Sequence, residues 1–275
     1  MNNLLDFSDK TVVVIGGTSG INRGIAELFA RKGARVAVAS RSQKKVDDTV
    51  ESLRSCGAEA MGFCADVREP AALAAGLVTV HTAFGLFDVV VSGAAGNFPA
   101  LLTQMSANAF RSVIDIDLIG TFNVMQAVYP YLLKPGASVV NISAPQATIP
   151  MAAQSHVCAA KAGVEMLTRC LALEWGTEGV RVNAIVPGPI DGTEGMQRLA
   201  SGDAMREATR DSVPLRRLGT PQDVGNACLF LTSELGSYVN GAILPVDGGW
   251  LQSGAGDLGR MLSKLVRRGT EPVLK

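Results

Sequence analysis

Apolar and polar positions along this chain are grouped in blocks. Short, mostly apolar runs rich in Val, Ile and Ala stand near 11–15, 35–39, 60–64, 88–92, 137–142, 181–186 and 242–246. Between them lie stretches with helical spacing, near 20–32, 43–56, 69–83, 105–133, 153–177 and 221–233. In the first of these Ile21, Ile25, Ala26, Leu28 and Phe29 recur at the steps of one helix face. Apolar runs without alternation belong to strands buried on both faces, and so to a parallel sheet covered by helices on both sides. The regular strand–helix succession predicts a doubly wound α/β fold, one domain over residues 1–275. The longest irregular stretch, Pro187 to about Thr220, follows the sixth run. Ligands of open α/β sheets sit outside the carboxyl ends of the strands. The 187–220 segment is therefore expected to be a substrate lid. The tail 251–275 is basic, with an apolar stripe of Met261, Leu262, Leu265 and Val266, and predicts a surface helix packed on its own protein.

The first strand–helix junction adds chemistry. The run Val12–Ile15 drops into Gly16-Gly17-Thr18-Ser19-Gly20-Ile21-Asn22-Arg23-Gly24. Glycines let the backbone approach a pyrophosphate, and a helix N-terminus offers unpaired N–H groups. The spacing Gly16-x-x-x-Gly20 departs from GxGxxG, so the turn alone also fits a plain βα connection. Its place at the start of the chain favours a Rossmann-like nucleotide half. After the second run stands Ser40-Arg41-Ser42, with Lys44 and Lys45 close behind and no acid to meet a ribose 2′-OH. Arg41 suits a 2′-phosphate, which points to NADP(H) over NAD(H), although the same charges fit a solvated helix start. Asp66, before Val67 at the end of the third run, can meet an adenine amino group or N-cap the next helix.

Composition narrows the rest. The chain has 275 residues, 47% of them hydrophobic, enough for a large core. Lys+Arg and Asp+Glu balance at 25 each, so no overall field draws it to nucleic acid or an anionic membrane. Five scattered cysteines without CxxC spacing and only two histidines argue against a metal site and for a reducing, cytoplasm-like compartment. No basic-then-apolar leader opens the sequence and no apolar run is long enough to span a bilayer.

With these residues in view, the chain resembles the short-chain dehydrogenase/reductase family over nearly its whole length. The glycine turn, Asp66-Val67, the Lys161 helix, Val186-Pro187-Gly188-Pro189-Ile190 and Val246-Asp247-Gly248-Gly249 stand in family order. The resemblance implies cofactor contacts at Gly16, Thr18, Ser19, Gly20, Ile21, Arg41, Asp66, Val67, Ser92, Ala94, Lys161, Pro187, Gly188, Ile190 and Thr193. Asn22 replaces the usual third glycine, and Asn tolerates unusual backbone angles better than most residues. Family members carry a tyrosine four residues before the lysine, which lowers the phenol pKa from about 10. Here that position is Val157. The usual serine thirteen residues earlier is Ala144, and the adjacent Ser143 is expected to face the other way if the strand alternates. The usual helix asparagine is Asp117.

One branch is similar in these same places, the 2,4-dienoyl-CoA reductases of peroxisomal type. The shared blocks are Ala94-Ala95-Gly96-Asn97-Phe98, Asp115-Ile116-Asp117, Gly120-Thr121-Phe122-Asn123, His156 before Lys161, and Gly188-Pro189-Ile190 with Gly192-Thr193-Glu194-Gly195. The resemblance implies hydride transfer from NADPH to a conjugated acyl-CoA thioester, yielding a 3-enoyl-CoA without an alkoxide, so that the tyrosine is dispensable. Preorganised donors at the thioester oxygen would then supply most of the catalysis. It assigns catalytic roles to Lys161, Glu165 and Asp117, Glu165 lying one helical turn beyond the lysine. It places Asn97, Phe98 and His156 at the substrate. It also implies a homotetramer, and the chain's last residues, Pro272-Val273-Leu274-Lys275, carry no peroxisomal address, so a cytoplasmic location is expected. Two alternatives stand beside it: a carbonyl reductase working through a water–Lys161–Glu165 relay, and a catalytically silent NADP-binding protein.

Overall fold

Seven parallel strands form one sheet in the order β3-β2-β1-β4-β5-β6-β7. In this computed structural model residues 4–199 and 202–253 are described, with Lys264 and Val266 beyond them. Most of the expected 251–275 tail helix thus lies outside the described residues. The strands are β1 (Thr11–Ile15), β2 (Arg35–Ser40), β3 (Ala60–Cys64), β4 (Val89–Ser92), β5 (Ser138–Ile142), β6 (Arg181–Pro187) and β7 (Ile243–Val246). Every one falls within a residue or so of its apolar run. The Val and Ile side chains of β1, β4 and β5 are buried almost completely, as two-faced burial requires.

Helices cover both faces. One layer is α1 (Gly20–Arg31), α2 (Gln43–Ser55) and α9 (Pro221–Thr232), whose Ile25, Leu28, Phe29, Val46 and Leu229 share a core with Val12, Val14 and Val36 of the sheet. The other layer is α3 (Pro70–Phe84), α5 (Gly120–Val128) and α6 (Ser155–Gly176), with Leu73, Leu77, Val124, Val128 and Trp175 against Val13, Val90 and Val139. Local signals set the ends. Ser42 accepts the Lys45 N–H at the start of α2, and Thr220 with Asp223 closes a capping box on α9, where Pro221 occupies the first turn.

The structure refines two expectations. The pattern over 105–133 is one continuous helical stretch, in which a π-helical turn over Ile114–Ile119 lies between α4 (Ala107–Val113) and α5 and a short 3₁₀ turn follows. A π insertion is a recurrent feature of functional sites, and here it surrounds Asp117. The 187–220 segment is not irregular throughout; it carries α7 (Glu194–Leu199) and α8 (Asp203–Ser212). Helix α8 turns Met205, Ala208, Thr209 and Ser212 inward, a face too small and polar to stand out as an apolar stripe, and Arg206 pairs with Asp191 on its exposed side.

Candidate active site

The strand order reverses between β1 and β4, and at that switch point a cleft of about 470 Å³ opens at the carboxyl ends of the strands. Its floor is the glycine turn. Gly16 and Gly20 take left-handed backbone angles, φ 77 and 52. A Cβ on Gly16 would stand 2.9 Å from the Ala94 nitrogen, so only glycine fits between the first and fourth strand ends. Ser19 caps α1 without a side-chain bond, and no acid stands in the first turn, which suits an anion. Asn22 needs no unusual backbone angle, because it lies inside α1. Its side chain does something else: Nδ2 donates to the Gly93 carbonyl at 2.8 Å and ties the turn to β4.

The adenosine end is edged by Ser40, Arg41, Ser42, Lys45, Asp66 and Val67. Asp66 does not cap α3, whose N-cap is Glu69. Its carboxylate is gripped by Arg68 through Nε at 3.0 Å and Nη2 at 2.7 Å, with Arg41 at 4.0 Å. The Arg68 bonds hold that carboxyl below the usual aspartate range, so it stays ionised and paired. With the acid neutralised and no acid at the end of β2, this end of the cleft is chemically suited to a phosphate. Val67 packs where Gly120 leaves room, a Cβ there meeting it at 2.5 Å, and its carbonyl accepts from Asn123 at 2.9 Å.

At the reacting end Lys161 is buried on α6. Its ammonium donates to the Ile142 carbonyl at 3.1 Å and faces Asp117 Oδ2 at 3.3 Å. Asp117 Oδ1 accepts the Gly96 N–H at 2.7 Å. Val157 lines the cleft one turn before Lys161, and none of the chain's three tyrosines reaches it.

The cleft gathers Gly16, Thr18, Ser19, Gly20, Ile21, Arg41, Asp66, Val67, Ala94, Asn97, Asp117, Lys161, Pro187, Gly188, Ile190 and Thr193. Four of the sequence candidates lie off it. Ser92 is buried within β4, in register with Ile15 and Asn141. Phe98 packs with Val113, Val157 and Ala160, and its ring meets the His156 ring at a tilt, centroids 4.5 Å apart. His156 is fully buried, which lowers its pKa against weaker opposing effects of the Phe98 backbone and Asp117. Glu165 is buried behind Ser143, whose hydroxyl donates to Oε1 at 2.9 Å, and Arg169 stands 3.7 Å from Oε2. Burial pushes the Glu165 carboxyl above the usual glutamate range, the Ser143 bond and Arg169 opposing it less strongly. Ser143 itself lines the cleft, contrary to the alternation argument. It stands one residue beyond β5, where strand alternation no longer fixes direction.

Further lining residues went unnoticed in the sequence: Gln146, Met196, Thr209 and Trp250. Trp250 donates through Nε1 to Ser212 at 2.8 Å and packs with Met151 and Val213, closing the cleft from the end of α8. Gln146 and Trp250 stand four residues beyond β5 and β7, which was the available signal, whereas Met196 and Thr209 lie inside α7 and α8.

A doubly wound sheet with this glycine turn and switch-point cleft defines a nucleotide-binding α/β protein, with a buried lysine at the far end of the cleft. The comparisons give the family. A family model for enoyl-(acyl carrier protein) reductases matches residues 16–251. A Danio rerio protein named peroxisomal 2,4-dienoyl-CoA reductase, (3E)-enoyl-CoA-producing, is 42% identical over 258 residues, 93% of this chain and 86% of that one. A Bacillus subtilis protein named probable 2,4-dienoyl-CoA reductase, (2E)-enoyl-CoA-producing, is 37% identical over 246 residues, 88% of this chain and 97% of that one. A crystal structure of a short chain dehydrogenase from Bacillus anthracis superposes with a TM-score of 0.81 at 34% identity, covering 90% of this chain and 98% of that one. The chain belongs to the short-chain dehydrogenase/reductase family.

Proposed function

We propose that this protein is an NADPH-dependent reductase of conjugated acyl-CoA thioesters, acting on 2,4-dienoyl-CoA. The observation that carries the reading is the wall of the cleft beside Lys161: a valine, with no tyrosine in reach. A carbonyl reduced to an alcohol requires an acid at the oxygen. A conjugated thioester reduced at carbon requires instead that charge be stabilised at the thioester oxygen, with a proton delivered later to carbon. The names of the Danio rerio and Bacillus subtilis relatives support the same substrate class.

The bound nicotinamide would supply hydride. Gly16, Gly20 and the N-terminus of α1 would hold its pyrophosphate, and Arg41 its 2′-phosphate. Lys161, fixed by Ile142 and Asp117, would hold the nicotinamide ribose and keep positive charge beside the developing enolate. Asn97 lies on the same wall and would position the thioester. Pro187–Thr193 and the two helices after them would cover the substrate, with Trp250 at the far end. Protonation at the carbon next to the thioester gives a 3-enoyl product, as in the name of the Danio rerio relative.

A homotetramer is part of the proposal, and Ile119 and Phe122, with Met166 and Leu173 of α6, are exposed apolar side chains available to a second copy. All five cysteines are free thiols, which supports a cytoplasmic location. Among the described residues no helix is long and apolar enough to cross a membrane.

The test is oxidation of NADPH with 2,4-hexadienoyl-CoA, run beside a 3-oxoacyl-CoA and free 2,4-hexadienoic acid. Turnover of the dienoyl thioester alone is expected. Turnover of the 3-oxoacyl-CoA alone would instead establish a carbonyl reductase, and binding of NADPH without any turnover a silent binder.

A further inference from the structure

We propose that Ser143 is the residue through which Glu165 delivers a proton to the cleft; this rests on the reductase reading above. Glu165 does not line the cleft, and Ser143 does. The two are joined by a hydrogen bond of 2.9 Å between groups that are both almost fully buried. Buried hydroxyl–carboxyl pairs have two arrangements. With Glu165 ionised, the Ser143 O–H points to the carboxylate and only its lone pairs face the cleft. With Glu165 protonated, its O–H donates to Ser143 Oγ, and the serine hydrogen is released toward the cleft.

The transfer balances. The enolate carbon forms a C–H bond with the Ser143 hydrogen while the Glu165 hydrogen moves to Ser143 Oγ. Glu165 is left a carboxylate accepting from Ser143, and solvent returns a proton to it beside half-exposed Arg169. The charges near this carboxyl are Arg169 on its own helix, Lys161 one turn earlier, and Asp117 of the π turn, which Lys161 already faces. Burial raises the Glu165 pKa, which favours the protonated, donating form.

The experiment compares wild type with Ser143→Ala, Ser143→Thr and Glu165→Gln. With 2,4-hexadienoyl-CoA, Ser143→Ala and Glu165→Gln should each lower kcat by about 100-fold, the lower end of general-acid contributions. KM and NADPH affinity should stay within about twofold, and Ser143→Thr, which keeps the hydroxyl, should recover most of kcat. An unchanged kcat in Ser143→Ala, or equal loss in Ser143→Thr, would overturn the relay. A second arm needs no substrate: the Glu165 carboxyl is titrated by ¹³C NMR. Its midpoint should rise in Ser143→Ala, because the bond that favours the carboxylate is lost. An unmoved midpoint overturns the coupling whatever the enzyme reduces, whereas a moved midpoint without dienoyl turnover discards the substrate reading alone.

Discussion

Asp117 holds Lys161 in the lining of the cleft, carboxylate Oδ2 to ammonium Nζ at 3.3 Å, with both side chains nearly excluded from solvent. The π turn over Ile114–Ile119 produces this meeting, and the other oxygen of the same carboxylate takes the Gly96 N–H. The pair therefore joins α6, the middle helix and the loop after β4. Removing one partner of a buried ion pair typically costs about 3–5 kcal/mol, because a lone charge is left behind. Lys161→Ala should abolish turnover and lose stability on that scale in urea denaturation. Lys161→Met combined with Asp117→Asn should regain most of the stability and none of the activity. Equal stability in Lys161→Ala and the double variant would show that the two charges are not coupled.

Asn22 sets the distance between the glycine turn and the end of β4. Its amide donates to the Gly93 carbonyl, and Gly93 directly precedes the Ala94 nitrogen against which Gly16 packs. Asn22→Ala leaves that carbonyl without its donor, at a cost of about 1–3 kcal/mol. Thermal unfolding should register the loss, and NADPH titration a weaker cofactor. Unchanged affinity beside lowered stability would confine Asn22 to a structural role.

Arg41 is the discriminating residue in the proposed cofactor preference. It is largely exposed and only 4.0 Å from Asp66, which Arg68 already satisfies, so its charge is free to serve a phosphate. Arg41→Ala should weaken NADPH binding by about tenfold, roughly 1.4 kcal/mol, and leave NADH binding unchanged. The difference should shrink at high salt, as an exposed charge pair requires. Equal weakening of both cofactors would remove Arg41 from 2′-phosphate recognition.

The strands and the glycine turn were legible because buried parallel strands are written as predominantly apolar runs without alternation, and Gly16 and Gly20 mark backbone angles that other residues resist. Lys161 and Asp117 were legible only through family order; nothing in local periodicity says that a carboxylate in the middle helix will meet an ammonium in another. The π turn was hidden for the same reason, since its stabilising contacts, Asp117 with Gly96 and Lys161, are long-range. Helix α8 was missed because its inward face, Met205, Ala208, Thr209 and Ser212, is small and half polar, so the apolar signal is weak. Ser143 was misjudged by carrying strand alternation one residue past the strand.

His156, expected at the substrate, is fully buried and lies off the cleft. The imidazole on the first turn of α6 has no exposed surface, packs at a tilt on Phe98, and neither ring nitrogen makes a well-formed hydrogen bond. Burial lowers its pKa in the folded protein, whereas in the unfolded chain it titrates near about 6.5. Between those two values the unfolded state binds more protons, so stability should fall as pH drops below about 6.5 and be fully restored above it. Glu165 works in the opposite sense: its raised pKa means the folded state gains protons first, so stability rises as pH falls through the folded pKa. The two are separated by comparing urea midpoints at about pH 5 and pH 7.5 for wild type, His156→Gln and Glu165→Gln. His156→Gln should lose the acid-side decline, and Glu165→Gln should steepen it. A decline unchanged in His156→Gln would assign the acid sensitivity to other groups. Activity at about pH 7.5 should survive in His156→Gln wherever the fold does, because the ring is fully buried and does not line the cleft.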